Sequence, residues 1–212
     1  MTDLTTPTGP VRYEPVAVSA ESTVVAEFVP GPASDTAYQS EADLEEALLR
    51  QLQEQAYAYL PITTEGQLVA NLRLQLEALN GIRFSNAEWQ RFFAERIASA
   101  NSSIVDKTVR IHEDHVLLLA RDDGSTKNVM LIDKVHIHNN RLQVVNQYEV
   151  PGPDTPGGGR YANRYDVTVL VNGLPMVHIE LKRRGVDIRE AFNQIDRYQR
   201  DSFWSGSGLF EY

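Results

Sequence analysis

Two strand-forming runs meet at Asn172-Gly173, and no other feature of the chain limits its fold as strongly. Tyr165 to Val171 reads as one strand and Met176 to Lys182 as the returning one. Asn-Gly between such runs is a strong hairpin signal, because both residues tolerate the positive φ of a tight turn. Side chains two apart on a strand share a face, so Glu180 and Lys182 project together. Register decides whether Asp166 joins them. A two-residue loop pairs Val171 with Leu174 and leaves Asp166 opposite Ile179, on the face away from Glu180. A three-residue loop, Asn172-Gly173-Leu174, pairs Val171 with Pro175 and sets Asp166 opposite Glu180. We expect the longer loop, or an equivalent bulge.

Helices precede this hairpin. Residues 1–38 are rich in Thr, Pro, Ser and Ala and read as a loosely ordered arm, with short strands around Val16-Ala17-Val18 and Val24-Val25. Order begins at Ser40, where Ser40-Glu41-Ala42-Asp43 resembles a capping box; Leu44, Ala47, Leu48 and Leu52 follow at helical spacing to about Tyr57. A second helix fits Gln67 to Leu79, with Leu68, Leu72, Leu76 and Leu79 as its stripe and Asn80-Gly81 as its stop. A third opens at Ser85 and buries Trp89, Phe92, Phe93 and Ile97, which read as core. After Asn101 the pattern turns to strands: Val116–Leu119, Val129–Ile132 and Leu142–Val145. Pro and Gly dominate residues 151–159, which cannot be regular structure and read as mobile. The expected class is α/β: a mixed central β-sheet flanked by helices, with a helical N-terminal portion, in one domain over residues 39–212.

Cysteine is absent, which removes disulfides, thiolate metal sites and a cysteine nucleophile and fits a reducing cytoplasm. No run of about 18 apolar residues and no secretory signal is visible, so the protein reads as cytoplasmic. A net charge of -9 argues against a protein that coats DNA. Yet residues 160–200 hold eight basic and five acidic side chains, an island of positive charge around a few acids. His112-Glu-Asp-His115 and His136-Ile-His138 lack zinc-protease spacing. His178, on the Glu180 face, suits packing better than ligation.

Asp166, Glu180 and Lys182 suggest chemistry. Two carboxylates held together need a cation between them. Mg²⁺ takes oxygen ligands and keeps several waters, one of which can attack a phosphodiester. A lysine can orient or deprotonate that water, or stabilise developing charge. On spacing alone a salt-bridged surface strand pair remains the alternative. A helix then opens at Asp187, with Ile188, Ala191, Phe192 and Ile195 as an apolar stripe against the sheet. Gln194 and Tyr198, four apart, share a flank a quarter turn away.

Several stretches together resemble a known family: Asn163-Arg-Tyr-Asp-Val-Thr-Val-Leu-Val-Asn-Gly-Leu-Pro, His178-Ile-Glu-Leu-Lys-Arg-Arg-Gly-Val, and Arg189-Glu-Ala-Phe-Asn-Gln-Ile-Asp-Arg-Tyr198. They look like the N-terminal nuclease region of type I restriction enzyme R (restriction) subunits, nearest the IC subclass. Tyr38–Glu45, Leu79–Gly81, Asp106–Thr108 and Leu131–Lys134 extend the likeness over most of the chain after residue 38. The resemblance implies a restriction-endonuclease-like core of the PD-(D/E)xK superfamily and Mg²⁺-dependent hydrolysis of double-stranded DNA, with Mn²⁺ able to substitute. It assigns Asp166 and Glu180 to the metal, Lys182 to catalysis, and Gln194 and Tyr198 to support. An acid of the first helix completes such sites; Glu45 is the choice, with Glu41 and Glu46 as alternatives. The implied partners are the methyltransferase (M) and specificity (S) subunits. No Gly-x-x-x-x-Gly-Lys-(Ser/Thr) loop is present, so ATP belongs to motor domains expected beyond a C-terminally truncated piece, and S-adenosylmethionine to the methyltransferase. Two rivals stay open: a non-catalytic docking module for the methyltransferase core, and a stand-alone repair nuclease of the same superfamily.

Overall fold

A computed structural model describes residues 12–18, 24–29, 40–99, 101–150, 163–183, 186–201 and 209. The Pro/Gly-rich stretch 151–159 lies outside them. In the N-terminal arm, β1 (Arg12–Val18) and β2 (Val24–Val29) pair antiparallel, longer than the short strands expected there. The register slips between Pro15 and Ala17, beside a residue with no N–H for the ladder.

Local caps set the helices. α1 (Glu41–Glu54) starts at a reciprocal Ser40–Asp43 capping box and stops three residues before the expected Tyr57, as Ala56 turns left-handed at φ 67°. After the two-residue strand β3 (Ala58–Tyr59), α2 (Glu65–Asn80) is capped by Thr64 with Gln67 and closed by Gly81 at φ 59°. Its Leu68, Leu72 and Leu76 are fully buried. α3 (Asn86–Phe92) continues into a π turn over Phe93–Ile97; Phe84 packs on Trp89 with ring centroids 5.2 Å apart and on Phe92 at 5.5 Å. These aromatics are core, as expected.

The expectation of strands directly after Asn101 fails. Ile104–His112 is a helix, α4, opened by a Ser103–Asp106 capping box. Its β-branched Val105, Thr108 and Val109 mimic strand composition, but they face outward while Lys107 and Ile111 are buried. The cap and the inward pair outweigh strand propensity.

β4 (Val116–Ala120) and β5 (Thr126–Met130) form a two-stranded ribbon through a turn with Gly124 at φ 82°. The main sheet has the order β3-β6-β7-β8, with β6 (Leu142–Val150), β7 (Asn163–Val171) and β8 (Leu174–Ile179). β3 runs parallel to β6 and the other pairs are antiparallel, so the sheet is mixed, as expected. α5 (Ile188–Asp201) follows, with the Asp187 carboxylate accepting from the Arg189 N–H at 2.9 Å. No helix of the described residues is long and apolar enough to cross a membrane.

The hairpin tip is clamped against α2. A Cβ on Gly173 would sit 2.7 Å from Leu72 Cα, and the residue's φ is 84°. Asn172, itself at φ 52° and buried, donates to Leu131 O at 3.0 Å and accepts from Arg141 N at 2.8 Å. The turn is therefore the two-residue form, pairing Val171 with Leu174, and the expected three-residue loop is not made. The equivalent bulge is. Between Val169 and Leu170 the register slips by one, so Val169 pairs with Val177 and Val167 with Ile179. The slip lies beside Pro175, which has no N–H to pair.

Candidate active site

That slip makes the site. Continued one residue beyond the last pair, the register sets Asp166 opposite Glu180, where an unbulged hairpin would have put them on opposite faces. β8 ends at Ile179, and Asp166 holds the strand's extension by accepting from Leu181 N at 2.8 Å. Lys182 Nζ lies 2.8 Å from Glu180 Oε1; the two side chains are 17% and 4% exposed. Burial pushes the Glu180 pKa up, Lys182 pulls it partly back, and the charge of Asp166 adds to the rise. Burial works against the Lys182 ammonium, but Glu180, Asp166 and Glu41 outweigh it and its pKa is raised.

The acidic first turns of helix α1 border the site. Glu41 lies between two cavities of about 510 Å³ each. One is lined by Lys182, Arg183, Glu190, Asn193 and Gln194, the other by Glu45, Asn146, Gln147, Arg164 and Asp166. Glu41 also accepts from Arg183 N at 3.3 Å. Glu45 is gripped by two amides, Asn146 Nδ2 at 2.6 Å and Gln147 Nε2 at 2.5 Å. Glu46, the other alternative, pairs with Arg50 at 2.8 Å and is 74% exposed.

Asp166, Glu180 and Lys182 are thus brought together; Glu45 shares a cavity with Asp166, and Gln194 shares one with Lys182. Tyr198 lies one helical turn beyond Gln194 on α5, but its side chain falls outside the described residues. The expected apolar stripe of α5 is only partly buried. Ala191 is covered, whereas Phe192 and Ile195 are 41% and 46% exposed. Glu190, Asn193 and Gln194 of the same helix line the Lys182 cavity. His178 packs, as expected: its ring stacks on Tyr165 at 4.7 Å, Nδ1 meets Thr168 Oγ1 at 3.0 Å, and burial lowers its pKa to about 4. Sequence reasoning missed Asn146, Gln147 and Arg164, all brought in by long-range packing.

Among the described residues no group of three or more His, Cys, Asp and Glu side chains could hold a metal ion. Asp166 and Glu180 are a two-carboxylate set of hard oxygen donors. Mg²⁺ is commonly held by one or two carboxylates, with waters and substrate phosphate completing its octahedron. Burial and the neighbouring charge of Asp166 raise the Glu180 pKa against the pull of Lys182, and a bound cation would oppose that rise.

Residues 38–212 match the family model described as type I restriction enzyme R protein N terminus. The type I restriction enzyme EcoprrI endonuclease subunit of Escherichia coli is 44% identical over 200 residues, 94% of this chain and 62% of that protein. The SsaAORF53P endonuclease subunit of Staphylococcus saprophyticus is 40% identical over 82% of this chain and 18% of its own length. A Staphylococcus aureus counterpart, the SauMSSORF170P endonuclease subunit, is 39% identical over 83% of the chain and likewise 18% of its length. The chain therefore spans only part of the relatives it matches.

Proposed function

The chain belongs to the family of type I restriction enzyme R protein N termini, and from that premise we propose that it is the DNA-cleaving domain of such a subunit, a PD-(D/E)xK nuclease. The observation that carries this reading is the bulge that sets Asp166 across from Glu180 with Lys182 bound to the latter. The reaction is Mg²⁺-dependent hydrolysis of a DNA phosphodiester by water, without a covalent intermediate; Mn²⁺ can substitute.

Asp166 and Glu180 would hold the metal, with Glu45 supporting them from α1. Bound Mg²⁺ supplies positive charge against the phosphorane-like transition state and lowers the pKa of a coordinated water. Lys182, 2.8 Å from Glu180 Oε1, orients the water and stabilises developing charge. Gln194, facing Lys182 across their cavity, and Tyr198 place the DNA backbone. The parent enzyme brings DNA to this site by ATP-driven translocation in motor domains, with the M and S subunits supplying methylation and target choice.

Nicking of supercoiled plasmid in Mn²⁺ by the full chain tests the reading against Lys182→Ala. Cleavage by the parent and not the variant is expected. Equal cleavage by both would assign the activity elsewhere, and absence of Mn²⁺ binding would favour the docking module.

A further inference from the structure

Consecutive residues of a strand point to opposite faces, yet the amides of Asn146 and Gln147 both reach one carboxylate, that of Glu45. The backbone explains how. Among the described residues three non-glycines have positive φ: Ala56 past a helix end, Asn172 in the hairpin turn, and Gln147 at 50° inside β6. The β6–β7 ladder runs from Asn146–Val167 to Tyr148–Tyr165 and skips the position between, where Gln147 lies across from Asp166. A left-handed glutamine in mid-strand is strained, and such strain persists only where surrounding contacts enforce it. The Tyr59 hydroxyl, 2.9 Å from Asn146 Oδ1, orients that amide so that Nδ2 faces Glu45.

We propose that Asn146 and Gln147 are positioning residues: a left-handed break in β6 turns two side-chain amides onto Glu45, which they aim into the cavity it shares with Asp166. This rests on reading Asp166 and Glu180 as the metal pair. Each Glu45 oxygen already accepts one amide, and no three acids gather into a ligand cluster among the described residues. Each oxygen keeps a further lone pair, and the amides fix where those lone pairs point, toward the cavity shared with Asp166. Because α1 buries none of its fourteen residues, this clamp also attaches the helix beside the site, linking Glu41 to it on the same first turns.

Gln147→Gly separates the side chain from the backbone, since glycine accepts φ 50° without strain. On the full chain without nucleotide, its metal-free melting temperature stays close to the parent's. Its Mn²⁺ affinity by calorimetry falls about tenfold or more, the range for losing a group that orients a metal site's carboxylate. Asn146→Ala falls similarly. Glu45→Gln combined with Gln147→Gly falls no further than Glu45→Gln alone, as expected of residues acting as one unit. If Gln147→Gly and Asn146→Ala bind Mn²⁺ like the parent while Asp166→Ala does not, the clamp is only structural and the proposal is overturned. If Asp166→Ala binds like the parent, the metal pair itself is misassigned.

Discussion

Glu77 and Glu180 are both glutamates shut away from water, with side chains 6% and 4% exposed, yet their pKa values move in opposite directions. Glu77 receives Arg83 Nη1 at 2.6 Å, Arg73 Nε at 3.1 Å and the Phe84 N–H at 3.0 Å. Burial opposes its charge, but those three donors overcome it and its pKa falls. Glu180 has Lys182, and Asp166 facing it; burial and repulsion win. Of these two carboxylates with little exposed side chain, the first is saturated by the protein and locks the loop between α2 and α3. Around the second, burial and the charge of Asp166 outweigh Lys182, and Lys182 and Asp166 each line a cavity. That balance is one that a bound cation would relieve, and it distinguishes the proposed site from the scaffold.

Breaking each side of the contrast gives different losses. Lys182→Ala lowers the cleavage rate per folded molecule by about 10²–10³-fold, the usual range for losing one group that stabilises charge in the transition state, and leaving Glu180 buried without its lysine lowers folding stability as well; single-turnover plasmid cleavage and urea melts read the two separately. Glu77→Ala affects folding alone. It leaves Arg73 and the Phe84 N–H without their buried acceptor and costs about 3–5 kcal/mol, with cleavage per folded molecule unchanged. A Glu77→Ala protein as stable as the parent would remove the scaffold half of the comparison. Mn²⁺ at a hundred times its dissociation constant stabilises the parent by about 2.7 kcal/mol and leaves Asp166→Ala where it was; equal stabilisation of both would place the cation elsewhere.

What sequence revealed divides along the same line between local and distant causes. Ser40 with Asp43 and Ser85 with Glu88 are legible because a cap is satisfied within four residues. Asp166, Glu180 and Lys182 were legible because Asn172-Gly173 declares a hairpin and the required register could be counted. Its mechanism was only half legible: the turn is short, and the slip occurs beside Pro175. α4 was hidden because its exposed positions carry β-branched residues. Asn146 and Gln147 gave no signal at all, since they meet Glu45 from 101 and 102 residues away and by a backbone conformation that glutamine does not advertise.

Acidity separates the two glutamates by sign. Glu77 has a depressed folded pKa, so its contribution to stability is complete above the ordinary glutamate range, ~pH 4, and is lost as pH falls through the folded value. Glu180 has a raised one, so its cost to stability is absent in acid and develops as pH climbs from that range through the folded value. Without metal, Glu180→Gln should therefore match the parent near pH 4 and become the more stable of the two toward neutrality, as read by melting temperature across pH. A parent that gains stability over Glu180→Gln on going up in pH would contradict the raised pKa of Glu180.

The smallest effect tests how Glu77 is saturated. Arg83 makes the shorter contact, but its side chain is 82% exposed against 25% for Arg73. Solvent screening discounts an exposed pair to about 0–1 kcal/mol. Arg73 sits in lower dielectric and also donates to Asn86 Oδ1 at 2.9 Å and to Phe84 O. Arg83→Ala should accordingly shift the urea midpoint slightly and Arg73→Ala distinctly more, despite the distances. If Arg83→Ala proves the costlier, contact length rather than burial governs the saturated carboxylate, and the same ordering would then have to be applied to Lys182 and Glu180.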